Sequence, residues 1–124
     1  MPSAEQVVRD FCTAVSKRDP ELLRSFLSDD VVYHNIPMDP AEGIEAAMAV
    51  ITMFVAMGES LEFEVHHLAS DGNTVLTERT DRFTFAGKPA SLPVMGAFTV
   101  SDGKITAWRD YFDMAQVTAM FDAG

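Results

Sequence analysis

The second half of the chain alternates apolar and polar residues, and this alternation constrains the fold more than any other feature. A period of two is typical of strands that bury one face, and Asp-Gly is a strong hairpin signal. The alternating segments are "LEFEVHHLA", "NTVLTERTDRFTF", "ASLPVMGAFTV" and "KITAWRDYFD", and the turns between them are Asp71-Gly72, Gly87-Lys88 and Asp102-Gly103. Because each segment follows the last through a tight turn, the pattern predicts four long antiparallel strands.

The first half of the chain has helical periodicity instead. Apolar residues three or four apart predict a first helix up to about Lys17, and Ser3 with Gln6 resembles a capping box. Asp19 as N-cap and Pro20 in the first turn predict that a second helix begins there. This second helix is predicted to carry the apolar residues Leu22, Leu23, Phe26 and Leu27.

Three further elements complete the predicted fold. They are a short strand at 31–36 ("VVYHNI"), a helix at 42–57 that is apolar on much of its circumference and so predicted to be well buried, and a last short helix at 114–121. The order predicts a single α+β domain over residues 1–124. Its curved, mixed, mostly antiparallel sheet forms a cone-like cup closed by the N-terminal helices, and such cups commonly hold small ligands.

The charge balance excludes two classes of partner. The chain carries 19 Asp and Glu against nine Lys and Arg, a formal net charge of −10, and the basic residues form no cluster. Such a chain should repel nucleic acid and anionic membranes. It also lacks a signal segment and any apolar run near the roughly 20 residues that span a bilayer. A lone cysteine, Cys12, fits a reducing compartment and a packed, inert thiol, so a cytoplasmic protein is predicted.

The segment "TERTDRF" places two ionic side chains on the apolar face of a predicted strand. Arg79 and Asp81 are two residues apart and therefore point the same way as Val75, Phe83 and Phe85. Ionic groups on such a face are costly unless they are paired or used. By itself, this pattern is compatible with a structural ion pair.

Two other strands repeat this arrangement. Tyr33 and Asn35 share one strand face, and Asp110 lies between Trp108 and Phe112 on a face of the last strand. Each feature alone has an ordinary explanation: strand-end hydrogen bonding for the first pair, and an edge acid that pairs with Arg109 or Lys104 for Asp110. Their coincidence on apolar faces of separate strands favours a polar cluster at the bottom of a hydrophobic pocket.

Other chemistries lack their usual signals. His66 and His67 are adjacent on a strand and so are predicted to face opposite ways, while His34 points away from its polar neighbours. No metal-ligand spacing, glycine-rich phosphate loop or G-x-S-x-G elbow is present, so neither a metal nor a cofactor is predicted. The methionine-rich helix is predicted to be core, although parts of it can line the pocket.

"VVYHN", "TERTDRF" and "GKITAWRDYFD", in this order and spacing, resemble the limonene-1,2-epoxide hydrolase family. The resemblance spans nearly the whole chain and implies the cone-shaped fold shared with nuclear transport factor 2 and the ketosteroid isomerases. The Arg-x-Asp pair and the Trp-Arg-Asp-Tyr-Phe-Asp run are specific within that fold group. Two departures, a start almost at the first helix and a short turn around Gly87, are expected to reshape the pocket rim.

The resemblance implies a role for each polar residue in opening an epoxide. Asp110 would be the general base that takes a proton from the attacking water, and Tyr33 and Asn35 would hold that water. Asp81 would be the general acid that protonates the epoxide oxygen. Arg79, between the carboxyls, would favour the ionised form of Asp110 and orient Asp81. Two nearby carboxyls in an apolar site tend to share one proton, which supplies one acid and one base.

The expected substrate is a small apolar epoxide, cyclic or terpene-like, which water would convert to a vicinal trans diol. Five residues are predicted to contact it: Phe83, Leu92, Val94, Trp108 and Val117. Two alternatives stay open, a polyketide cyclase or ketosteroid isomerase on the same cup, and a non-catalytic module for small-molecule binding or dimerisation. A homodimer through the outward face of the sheet is predicted, because "LPVMGAFTV" is apolar on both faces.

Overall fold

The computed structural model describes residues 2–122 and shows an α+β fold with four helices and six strands in that range. The helices are α1 (Ala4–Val15), α2 (Pro20–Arg24), α3 (Ile44–Met57) and α4 (Met114–Asp122). The strands are β1 (Leu27–Asn35), β2 (Ala41–Glu42), β3 (Ser60–Asp71), β4 (Thr74–Phe85), β5 (Lys88–Ser101) and β6 (Lys104–Tyr111). Among the described residues, no helix is long and apolar enough to cross a membrane.

The six strands form one curved sheet in the order β2-β1-β6-β5-β4-β3. The four long strands pair antiparallel with their chain neighbours, as the alternation predicts, and β1 pairs parallel to β6. The predicted mixed, mostly antiparallel sheet is therefore confirmed. Its strand order brings β1, near the start of the chain, beside the last strand, which positions the polar residues of both on one face.

The N-terminal helices cover the inner face of this sheet. Ser3 caps α1 by accepting a hydrogen bond from the Gln6 N–H, and Asp19 caps α2. The α1 residue Phe11 is fully buried, with its ring centroid 6.2 Å from Phe98 on β5 and 5.1 Å from Trp108 on β6. The hydrophobic core thus lies between α1 and the inner face of the sheet.

Two predictions about the first half of the chain are wrong. The second helix ends at Arg24 and does not include Phe26 or Leu27, because Leu27 begins β1 and pairs with Ile105 of β6. Sheet pairing therefore overrides the helical spacing of these apolar residues. The first strand is accordingly longer than the six residues predicted.

The prediction that the methionine-rich helix is well buried is wrong for one of its sides. Ala47, Met48, Ile51 and Val55 are buried, but Met53, Phe54 and Met57 are exposed at 53%, 38% and 45%. α3 packs on β1, β2 and α2, and the described residues provide no further layer for its other side. An all-round apolar pattern therefore does not ensure a partner on every side.

Candidate active site

The Asp–Arg–Asp cluster, formed by Asp81, Arg79 and Asp110, lies on the inner face of the sheet. Arg79 Nε and Nη2 donate to Asp81 at 2.9 and 3.0 Å, and Nη1 and Nη2 donate to Asp110 at 3.1 and 2.9 Å. Nη1 also donates to Thr77 Oγ1 at 3.3 Å, so all five guanidinium N–H groups have acceptors. Arg79 is 1% exposed and its side chain is fully covered.

Gly96 explains how this guanidinium reaches across the sheet. Arg79 is on β4 and Asp110 on β6, so the side chain must cross over β5, two strand spacings or about 9.6 Å in all. Gly96 of β5 pairs with Thr77 on one side and Asp110 on the other. A Cβ at Gly96 would lie 2.3 Å from Arg79 Nη1 and 2.8 Å from Asp110 Oδ1, far inside contact distance.

Gly96 and Thr77 are site residues that sequence reasoning missed. A glycine inside a strand often marks the close approach of another group, so the glycine in "VMGAF" was the available signal. Thr77 shares the inner face of β4 with Arg79, and its hydroxyl donates to the Gly96 carbonyl. Neither role can be inferred without the register of β4, β5 and β6.

Tyr33 and Asn35 lie beside the cluster on β1. The parallel pairing of β1 with β6 sets Asn35 opposite Asp110 and Tyr33 opposite Trp108. Both side chains are buried, at 7% and 3% exposure for Asn35 and Tyr33. The structure therefore brings all five side chains that were predicted to be catalytic into one group on the inner face.

Burial and the neighbouring charges set the protonation of Asp81 and Arg79. Burial raises the pKa of Asp81 to about 6; the hydrogen bonds and charge of Arg79 oppose this rise, and the Asp110 charge adds to it. Burial disfavours the Arg79 charge, but the two carboxylates outweigh it and raise the pKa of that guanidinium. Arg79 is therefore a permanent cation, whereas Asp81 can hold a proton near neutral pH.

The Tyr33 phenol is held in its neutral form. Burial raises its pKa well above the ordinary value, the Asp110 charge raises it further, and a hydrogen bond with Asn35 opposes both effects. A neutral phenol and an amide can each donate and accept hydrogen bonds, which is what holding a water molecule requires. The Cys12 thiol is also buried, and burial raises its pKa to about 12, in keeping with the inert thiol predicted.

The five predicted substrate contacts divide into two groups. Leu92 and Val94 of β5 pair with Asp81 and Arg79, and Phe83 follows Asp81 on the same face of β4. These three residues adjoin the Asp81 end of the cluster, where the Asp81 side chain is 12% exposed.

The remaining two contacts have different surroundings. Val117 is half-buried on α4, which packs on β5. Trp108 is 3% exposed in the core, stacked on Tyr33 and surrounded by the rings of Phe11, Phe63 and Phe98.

A cavity of about 880 Å³ opens between the end of α1 and the start of β3. It meets the cluster at Phe63, whose ring lies 4.3 Å from Arg79 Cζ. None of the five predicted substrate contacts borders this cavity, and its wall is largely polar. The residues that line it are Cys12, Thr13, Ser16, Lys17, Arg18, Glu59, Ser60, Leu61, Glu62 and Phe63.

The prediction that His66 and His67 face opposite ways is wrong. A bulge in β3 shifts the register between Val65 and His67, so both imidazoles lie on the outer face. His66 Nε2 is 2.7 Å from Thr80 Oγ1, and His67 Nδ1 is 2.7 Å from Glu78 Oε1. Within residues 2–122, no three His, Cys, Asp or Glu side chains are grouped so as to hold a metal ion.

The fold and the cluster define a class of protein: a cone-shaped α+β protein with two buried carboxyls joined by one guanidinium. The chain belongs to the limonene-1,2-epoxide hydrolase family, because the model of that family's catalytic domain matches residues 2–122. The resemblance and the enzyme class predicted from the sequence, an epoxide hydrolase, are thereby confirmed.

Individual relatives agree with this assignment. Epoxide hydrolase EphG of Mycobacterium tuberculosis is 37% identical over 109 residues, which cover 86% of this chain and 71% of the relative. The solved structure of a limonene-epoxide-hydrolase-like epoxide hydrolase from M. tuberculosis superposes with a TM-score of 0.80 and 29% identity, covering 98% of this chain and 96% of that one.

Likeness in fold extends further than likeness in sequence. An NTF2-like protein of unknown function from Burkholderia pseudomallei superposes with a TM-score of 0.82 at 21% identity, over 94% of this chain and 95% of that one. At this identity, the likeness shows the fold alone. The cone-shaped fold predicted from the resemblance is thus confirmed by structure as well.

Proposed function

We propose that this enzyme adds water directly to a small apolar epoxide, cyclic or terpene-like, and releases a vicinal trans diol without a covalent intermediate. One observation carries the proposal: a single buried guanidinium is hydrogen-bonded to two carboxyls, Asp81 and Asp110, whose side chains are 12% and 4% exposed. With both carboxyls ionised, the cluster would carry one net negative charge in an apolar setting. One proton neutralises it, and this supplies one acid and one base.

Asp81 is the proton donor in this proposal. With its pKa raised to about 6, Asp81 is half protonated near pH 6 and roughly one tenth protonated at pH 7, and it is the more exposed carboxyl of the pair. Protonation of the epoxide oxygen is needed because an alkoxide is a poor leaving group. Each such proton transfer contributes roughly 10²–10⁴-fold to the rate.

Asp110 is the proton acceptor. Tyr33 and Asn35 lie next to it and hold a water molecule against the carboxylate. The water oxygen attacks an epoxide carbon while Asp110 takes one water proton; the carbon–oxygen bond breaks and Asp81 protonates the departing oxygen. Exchange of protons with solvent then returns Asp81 to its acid form and Asp110 to its base form.

The apolar neighbours of the acid support an apolar substrate. Phe83, Leu92 and Val94 adjoin Asp81 on the inner face of the sheet, so an epoxide oxygen at Asp81 would leave its hydrocarbon part against them. Val117 of α4 is proposed to close the same space. No metal or cofactor enters this reaction, and we expect activity to survive exhaustive chelation. The buried free thiol of Cys12 supports a place in the reducing cytoplasm.

The test compares two Asp→Asn variants, three residues apart, on a simple cyclic epoxide. Asp110→Asn should abolish diol formation while substrate binding, followed by calorimetry, is retained. Asp113→Asn is the matched control, because Asp113 is exposed and its carboxylate accepts only from the start of α4, at the Ala115 N–H and Gln116 Nε2. Equal activity of the two variants would contradict the proposal, as would a wild-type protein that binds epoxides but turns none over.

A further inference from the structure

The Trp108 indole contacts two different parts of the site at once. Its Nε1–H donates to Asp110 Oδ1 at 2.8 Å. Its ring also stacks on the Tyr33 ring, with centroids 3.9 Å apart and planes 8° apart. One rigid side chain therefore touches both the proposed base and a residue proposed to hold the water.

The packing around Trp108 leaves the indole little freedom. Phe11 and Phe63 meet it edge-on at centroid distances of 5.1 and 6.1 Å, and Phe98 stacks on it at 5.7 Å. Trp108 is 3% exposed. A side chain enclosed in this way stays in one orientation, so its N–H remains directed at the carboxylate.

The two oxygens of Asp110 are unequally occupied. Oδ1 accepts from Trp108 Nε1 and from Arg79 Nη1, whereas Oδ2 accepts from Arg79 Nη2 alone among the residues the structure describes. A carboxylate oxygen has about two acceptor sites. Oδ1 is thus saturated, and Oδ2 keeps one site free.

We infer that Trp108 is a positioning residue for Asp110, which saturates Oδ1 and leaves Oδ2 as the atom that takes the proton from water. This inference rests on the proposed role of Asp110 as base, and it replaces the predicted substrate contact of Trp108. The stack on Tyr33 sets the phenol beside the same carboxylate. A single indole thereby fixes both the base and one holder of the water.

A nuclear magnetic resonance experiment tests the contact without any turnover. Trp108 is the sole tryptophan, so the protein has one indole N–H resonance. Asp110→Asn replaces an ionised acceptor by a neutral one and should move the indole proton upfield. Asp81→Asn, the matched control, should move it much less, because Asp81 does not bond the indole. An unmoved resonance in Asp110→Asn would overturn the inference, even if the enzyme hydrolyses epoxides.

An isosteric replacement tests the consequence for the reaction. Benzothienylalanine has sulfur in place of the indole N–H and, supplied to a tryptophan auxotroph, changes this residue alone. The groups that face Asp110 are Arg79, Asp81, Tyr33 and Cys12, and all of them remain. Loss of this donor should leave the Asp110 carboxylate less well oriented and so slow the proton transfer from water.

The same replacement should lower kcat about tenfold or more with KM nearly unchanged, which is the pattern of a group that acts on the reacting base. A raised KM with an unchanged kcat would mean that Trp108 only lines the pocket, and the inference would be wrong. If the protein with benzothienylalanine does not fold, the resonance experiment still tests whether the Trp108 N–H is hydrogen-bonded to Asp110. Because that experiment needs no substrate, failure of this inference and failure of the proposed function are distinguishable.

Discussion

At the scale of single residues, the buried Asp–Arg–Asp cluster lowers the stability of the fold but provides the groups that the reaction needs. Burying a guanidinium and two carboxyls carries a desolvation cost that ion pairing often does not repay in full. All five Arg79 donors have acceptors, yet burial still raises the pKa of Asp81 to about 6, and the Asp110 charge adds to this rise. Apolar side chains of similar volume would stabilise the core at least as well, so the Asp–Arg–Asp cluster is better explained by function.

The planar fork of Arg79 is predicted to matter more than its charge. Arg79→Lys keeps the cation but cannot bond two carboxyls at once, so we expect kcat/KM to fall by roughly 10²-fold or more in a protein that remains folded by circular dichroism. Arg82→Lys is the control, since Arg82 forms an exposed ion pair with Glu64 on the outer face. Near-normal activity of Arg79→Lys would show that bridging of the carboxyls is unimportant.

The pH profile should show the acid directly. Because Asp81 must be protonated to act, and its pKa is raised to about 6, kcat/KM should fall as the pH rises through that value. This pH dependence of kcat/KM is opposite in direction to that of a carboxylate base, for which the rate rises with pH. Initial rates across the pH range would check this, and a profile without a basic limb in the Asp81 region would contradict the acid role.

Five of the site residues could be predicted from side-chain alternation and resemblance, but the neighbouring residues that position them could not. They were recognisable because they share strand faces: Tyr33 with Asn35 on β1, Arg79 with Asp81 on β4, and Asp110 with Trp108 on β6. Gly96 and the Trp108 N–H contact depend on which strands are neighbours and in which register, information that a two-residue period does not contain.

At the scale of elements, the register of β4, β5 and β6 builds the site. Turns at Gly87 and Gly103, with φ of 74° and 76°, join these three strands and help to set this register, and both turns were predicted from the sequence. The β3 bulge at His66 and the two-residue β2 were not, since neither alters the apolar pattern strongly. Elements with strong periodicity were thus predicted well, and short or irregular ones were not.

A single methyl group on β5 should disrupt the site. Gly96→Ala would place Cβ 2.3 Å from Arg79 Nη1, so the guanidinium must move. We expect a loss of about 1–3 kcal/mol in the free energy of unfolding and roughly a 10²-fold loss of kcat/KM. Gly58→Ala is the control, because neither glycine has a positive φ and a Cβ at Gly58 would come no closer than 3.1 Å to another atom, the Ser60 carbonyl oxygen, away from the cluster. Equal activity of the two variants would mean that the crossing over β5 is not critical.

At the scale of the whole molecule, the cone-shaped fold was predictable because patterning and resemblance agreed. The exposed apolar surface was less predictable, because alternation indicates which face of the sheet a residue lies on but not whether anything covers that face. On the outer face of the sheet, Leu76, Met95 and Tyr111 are exposed at 46%, 49% and 47%. Met95 pairs with Tyr111, and Leu76 lies on the adjacent β4, so the three form an outer apolar patch.

This patch supports the predicted homodimer. Leu76→Glu combined with Met95→Lys should convert a dimer to a monomer in light scattering at about micromolar concentration, because buried charges oppose association. Met53→Lys on the exposed side of α3 is the control and should leave the dimer intact. A wild-type protein that scatters as a monomer would contradict the prediction, and so would dissociation caused by the α3 variant alone.

The origin of the new oxygen tests the central claim, attack by water held at Asp110, most directly. In a single turnover in ¹⁸O-water with enzyme in excess, direct attack predicts that the first diol carries the label and that Asp81 and Asp110 stay unlabelled in a peptide digest. A covalent route would first form an ester with an aspartate and leave solvent oxygen in that carboxylate. An unlabelled first-turnover diol together with a labelled aspartate would contradict the account.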